Sequence, residues 1–105
     1  MSETQTTLFS FTEVCLRTGA TKETVIEIIE QGIIEPSGTS AEEWQFSPTM
    51  LLITNKAVRL HRELDVDWPG IALAMDLLRK LDQLKHENRH LKRRLSRFTP
   101  GILPP

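Results

Sequence analysis

Residues 17-RTGATKETVIEIIEQGIIEP-36 decide how this chain folds. Val25, Ile28 and Ile29 follow i, i+3, i+4 spacing, the pattern of a helix with one buried face. Thr21 stands where an N-cap belongs, with Thr24 three residues on in place of the ideal Glu. Gly32 stops this helix, and Ile33-Ile34 continues as a short extended piece up to Pro36. Upstream, 11-FTEVCLRTGA-20 reads as a shorter helix capped near Thr12 and ended by Gly19, with Val14, Cys15 and Leu16 available for burial. Two short helices joined through a glycine turn make a helix–turn–helix.

Downstream the pattern extends. The stretch 37-SGTSAEEW-44 has turn composition, so 33-IIEP-36 and 43-EWQF-46 can form a small hairpin around it. Ser47-Pro48 supplies a cap and a first-turn proline for a third helix. Met50, Ile53, Ala57, Leu60 and Leu64 recur along that helix at +3 and +4. In 65-DVDWPGIALAMDLL-78 the chain turns and starts again. Pro69 is tolerated because first-turn amides have no intrahelical partner, and Asp67 can cap them. The last helix can run to about Phe98, and the tail 99-TPGILPP-105 has three prolines. The expected architecture is all-α: a winged helix–turn–helix with a small β-hairpin wing and a long C-terminal helix. We expect a flexible N-terminus over 1–7, the winged module over 8–66, the C-terminal dimerisation helix over 67–98 and a flexible tail over 99–105.

Charge is divided unevenly along this plan. Residues 1–78 carry five basic and twelve acidic side chains, a net −7, while residues 79–105 carry eight basic and two acidic, a net +6. Such asymmetry points to partners rather than to fold. One cysteine leaves no internal disulfide, and no apolar run reaches the ~20 residues of a membrane span. The start, MSETQTTLF, lacks a basic segment followed by a long apolar one. These features together predict a cytoplasmic protein without a membrane partner.

The last helix has a seam. Ala74, Leu77, Leu81, Leu84, Asn88, Leu91, Leu95 and Phe98 repeat at +3 and +4, as the a and d positions of a coiled coil do. Leu77, Leu81, Leu84, Asn88, Leu91 and Leu95 are therefore candidate dimerisation residues. Its outer segment, 89-RHLKRRLSR-97, can meet nucleic acid or an acidic surface, and reads equally well as a solvated face.

Catalytic signals are weak. The string 86-HENRH-90 fits the H-E-x-x-H form of zinc peptidases, but those need a protected cleft and usually a third ligand. Here the string sits in an Arg-rich helix, so neither catalysis nor a metal or other cofactor is expected. Cys15 has no second thiol or histidine at metal spacing and reads as a small buried hydrophobe. Trp68 is expected to pack at the helix start and Trp44 to close the wing over the core.

The motifs carry a family resemblance. The segment 17–36 resembles the helix–turn–helix of MerR-type regulators, whose pattern is G-V-S-x-x-T-L-R-Y-Y-x-x-x-G-L-L-x-P; Gly19, Thr24, Gly32, Ile33-Ile34 and Pro36 fall in step with it. The run 44-WQFSP-48 is similar to the family's wing end. More specifically, 58-VRLHRELDVDWPGIALAMDLL-78 with 84-LKHENRHLKRRLSRF-98 resembles the bacterial chaperone modulators, over roughly residues 8–98. Those are small MerR-like dimers that bind the J-domain of a curved-DNA-binding, DnaJ-like co-chaperone and inhibit it. The resemblance implies that partner and a homodimer for this chain.

Departures from the regulator pattern sharpen this expectation. Where regulators place Arg-Tyr on the second helix, this chain has Ile26-Glu27, and the wing arginine is replaced by Gln45. Glu23, Glu27, Glu30 and Glu35 crowd the element, with Lys22 its only base. Affinity for DNA comes largely from Lys and Arg displacing phosphate counterions, so direct DNA reading by this helix is not expected. J-domains present a basic second helix, which an acidic face would suit. Glu23, Ile26, Glu27 and Glu30 are the candidate partner-binding residues, with Ile26 as an apolar anchor. A solvated face is the plain reading of the same glutamates. The alternative function is a MerR-type DNA-binding transcription regulator.

Overall fold

A computed structural model describes residues 7–98. The expected flexible ends therefore lie outside the described residues, apart from Thr7. Two compact units divide the chain, one reaching Met75 and the other starting at Asp76. The first holds strand β1 (Phe9–Ser10), helices α1 (Phe11–Thr18) and α2 (Lys22–Glu30), strand β2 (Gln45–Phe46) and helix α3 (Pro48–Leu64). It also takes in the opening turns of α4 (Trp68–Phe98). The described part of the second unit is the remainder of α4.

Local chemistry sets the helix boundaries. Ser10 caps α1 through a reciprocal pair: the Glu13 amide donates to Ser10 Oγ at 3.1 Å, and the Ser10 amide donates to Glu13 Oε1 at 2.7 Å. The cap thus falls two residues before the Thr12 position expected from sequence. Gly19 closes α1 in the left-handed conformation at φ 74°. Thr21 caps α2 by accepting the Thr24 amide at 3.1 Å, and Ser47 caps α3 by accepting the Met50 amide at 3.2 Å. Both act as the sequence predicted.

The sheet is smaller than a full wing and differently composed. Ser37 and Gln45 exchange backbone hydrogen bonds of 3.2 and 3.0 Å, closing the loop between them just beyond the 33–36 segment. The second strand then pairs antiparallel with Phe9–Ser10, placing Phe9 opposite Phe46. Two-residue strands far apart in sequence carry no periodicity, so β1 was not foreseeable. Within the loop, Gly38 sits at φ 110°, and a Cβ there would approach the Glu43 carbonyl oxygen to 2.6 Å. The turn therefore requires glycine.

Val14, Val25, Ile28, Ile34, Phe46, Ala57 and Ile71 form the core of the first unit. Every helix of that unit contributes, including the start of α4 through Ile71. Trp44 packs against this core in edge contact with Phe11 and Phe46, at centroid distances of 5.3 and 6.3 Å. Thr54 is fully buried among apolar neighbours because its hydroxyl donates to the Met50 carbonyl at 2.8 Å. Two expectations fail. Leu16 is 78% exposed, because Val14 and Cys15 already turn the packed side of α1 inward. Leu64 is exposed as well, since α3 ends there and Asp65 takes a left-handed turn at φ 54°.

That turn accounts for the 65–70 sequence. Asp67 Oδ1 accepts the Gly70 amide at 3.1 Å, capping α4. Trp68 stacks on His61 with ring centroids 4.1 Å apart and only 5° between planes. A Cβ on Gly70 would come within 2.3 Å of Val66 Cγ1, so glycine lets Val66 fold back over the first turn.

Candidate functional site

Helix α2 carries the first candidate surface. Val25 and Ile28 are fully buried and fix the rotation of the helix about its axis. At 100° per residue, Glu23, Glu27 and Glu30 then fall on the opposite side, and all three are exposed. Ile26 lies on the flank between these faces and is half-buried, outside the set packed on the core. The four candidate residues thus form an acidic ridge bordered by one partly covered isoleucine. Glu35 and Glu42 are exposed too. Glu43 is exposed but engaged within the loop, accepting the Thr39 hydroxyl at 2.8 Å.

The nearby cations are occupied by rings. The Arg17 guanidinium lies 4.9 Å from the centre of the Phe9 ring, and Lys22 Nζ lies 6.0 Å from that of Phe11. Gln45 is exposed and contributes its backbone to pairings on both sides. So the helix–turn–helix presents carboxylates outward, with its two exposed bases each set beside a ring. That is a poor surface for phosphate and a good one for a cationic protein.

Cys15 is half-buried at the back of this element. Burial pushes its thiol up, Lys22 opposes the shift and Glu23 adds to it. A neutral thiol is a poor nucleophile, which fits a packing role.

The second unit carries the other surface. Leu77, Leu81, Leu84, Leu91 and Leu95 are between 48% and 62% exposed, and Asn88 is exposed with them. All six lie on one stripe of α4. Leu78, beside the stripe, is 40% exposed and widens it. Together they leave a continuous apolar stripe exposed along the helix. At the head of the unit Asp76 pairs with Arg79 and, at 3.2 Å, with Lys80. The Arg79 hydrogen bond first, then that of Lys80, holds the Asp76 carboxyl below its usual range.

His86, Glu87 and His90 are all exposed on this same helix, so the peptidase-like string has no cleft around it. Among the described residues no group of three His, Cys, Asp or Glu side chains could hold a metal ion. No described helix is long and apolar enough to cross a membrane.

Residues 9–93 match the family described as MerR HTH family regulatory protein. The chain is 46% identical over 98 residues to the chaperone modulatory protein CbpM of Pseudomonas putida, covering 93% of this chain and 97% of that one. It is 45% identical over 93 residues to the protein of the same name from Escherichia coli, covering 89% and 92%. The corresponding Pseudomonas entomophila protein is 43% identical over 99 residues, covering 94% and 98%.

Proposed function

This chain belongs to the MerR helix–turn–helix regulatory family and to its chaperone-modulatory members, and from that premise we propose that it is a non-enzymatic modulator of a co-chaperone. It binds the J-domain of a curved-DNA-binding, DnaJ-like protein and inhibits that protein's work, by covering the basic surface through which a J-domain engages its larger chaperone. The observation that carries this reading is the acidic ridge of Glu23, Glu27 and Glu30, held outward by the burial of Val25 and Ile28. Charge complementarity speeds encounter and selects the partner, while Ile26 adds apolar contact at the edge. A cytoplasmic location follows from the same role.

The proposal includes a homodimer. Half-exposed leucines along α4 gain about 1 kcal/mol each when the remaining exposure is removed, and a second copy offers the same stripe in return. Aligned antiparallel with Leu81 against Leu84 of the second copy, Lys80 of each chain meets Glu87 of the other.

Calorimetric titration against an isolated J-domain at physiological salt tests the function. Saturable binding is expected, and the double variant Glu27→Lys, Glu30→Lys should weaken it at least several-fold. Unchanged binding in that variant would remove the acidic ridge as the contact and leave the family assignment standing. No binding by the unmodified chain would overturn the J-domain reading itself.

A further inference from the structure

The cations of the second unit from Lys85 onward take no part in the function proposed above. Between Arg79 and Arg97 the helix carries eight basic residues and only Asp82 and Glu87 as acids. Among the described residues, its ion pairs are those of Asp76 with Arg79 and Lys80. From Lys85 to Arg97 every side chain is exposed, and no cation there has an ion pair among the described residues. Their arrangement is ordered. Arg89, Arg93 and Arg97 stand at i, i+4 and i+8, a single ridge with a rise of about 6 Å between neighbours. At 100° per residue that ridge lies on the side of α4 opposite the leucine stripe, and His86 and His90 flank it.

We propose that this arginine ridge binds the phosphate backbone of double-stranded DNA without reading its sequence. What the ridge lacks decides between ligands. Outside the leucine stripe, no apolar residue occurs from Arg79 to Arg97. A protein interface depends on buried anchors, which this face cannot supply. Single-stranded nucleic acid is held by stacking on aromatic rings, and the segment from Arg79 to Arg97 has no Phe, Tyr or Trp. Phosphate needs neither. It needs positive charge in a row, and guanidinium forks match its oxygens in pairs. Burying the leucine stripe against a second copy leaves the opposite face available. The contact is distinct from DNA reading by the helix–turn–helix, whose exposed side is acidic.

The test is fluorescence anisotropy of a labelled 20-base-pair duplex with the full chain, over a series of salt concentrations. Expected is sequence-independent binding with a dissociation constant of about 10⁻⁶–10⁻⁴ M near physiological salt, weakening steeply as salt rises. The triple variant Arg89→Gln, Arg93→Gln, Arg97→Gln keeps helix-forming residues and should flatten the log–log salt slope by about 2–3, at ~0.9 per phosphate contact. A slope unchanged in that variant, with its helicity confirmed by circular dichroism, would overturn the assignment. So would equal affinity for labelled polyglutamate, which would point to an acidic protein surface, or no binding to the duplex at low salt. The J-domain titration of the same variant should be unaltered, so the two readings stand or fall separately.

Discussion

Val25 and Ile28 of α2 and Leu81 and Leu84 of α4 obey the same +3 spacing, yet the first pair is fully buried and the second about half exposed. The periodic signal is equally good in both. What differs is the supply of neighbours. In the first unit α1, α3, Phe46 and Ile71 converge on α2 and exclude water from its apolar face. In the second the described residues offer one helix only, and in the proposed homodimer the cover comes from a second copy. Periodicity reveals that a face is apolar; it says nothing about whose atoms will meet it.

That contrast can be broken by substitution. Ile28→Ala should destabilise the first unit by about 2–5 kcal/mol, visible as a lowered midpoint in chemical unfolding. Leu81→Ala should leave that midpoint nearly unchanged in dilute solution and instead weaken self-association by roughly tenfold or more, read by sedimentation equilibrium. If Leu81→Ala lowered stability independently of concentration, the stripe would be covered by its own chain and the comparison would fail. Gly70→Ala probes the corner between α3 and α4. Its Cβ would meet Val66, and a loss of about 1–3 kcal/mol is expected, recovered in part by also making Val66→Ala.

The smallest effect concerns Asp76. Its carboxyl is held low by Arg79 and Lys80, so the ion pairs support the helix where Asp76 is ionised in both the helical and unfolded chain. That support is complete above the ordinary carboxylate range and is lost as pH falls through the lowered value. Asp76→Asn should therefore be slightly less helical than the parent at neutral pH and indistinguishable from it in strong acid, by circular dichroism. A difference that persisted in acid would assign the effect to something other than charge.

Helix ends were the most legible part of the sequence. Thr21, Ser47 and Asp67 act through hydrogen bonds to amides three residues away, and such short-range chemistry is written locally. The buried face of α2 was readable for the same reason. Leu16 was not, because an apolar residue on a short helix has two sides to choose from, and only the position of α3 against α1 decides. Strand β1 was invisible, being two residues whose partner lies at 45–46. The acidic ridge was legible as a set of residues, and its orientation followed from Val25 and Ile28. The covering of Ile26 did not, since a flank position takes its environment from whatever packs beside it.

The pairing of Phe9 with Phe46 also has a consequence for how the chain acquires its structure. Forming it requires closure of the whole segment from residue 9 to residue 46, an entropic cost that has to be met before the contact contributes anything. The helical remainder beyond Asp76 has only short-range bonds to make and can relax in about a microsecond. On the ribosome, then, the opening strand waits unpaired until the wing has been synthesised, and the first unit should form late and all at once. Pulse-labelling hydrogen exchange would show the Phe9 and Phe46 amides gaining protection together.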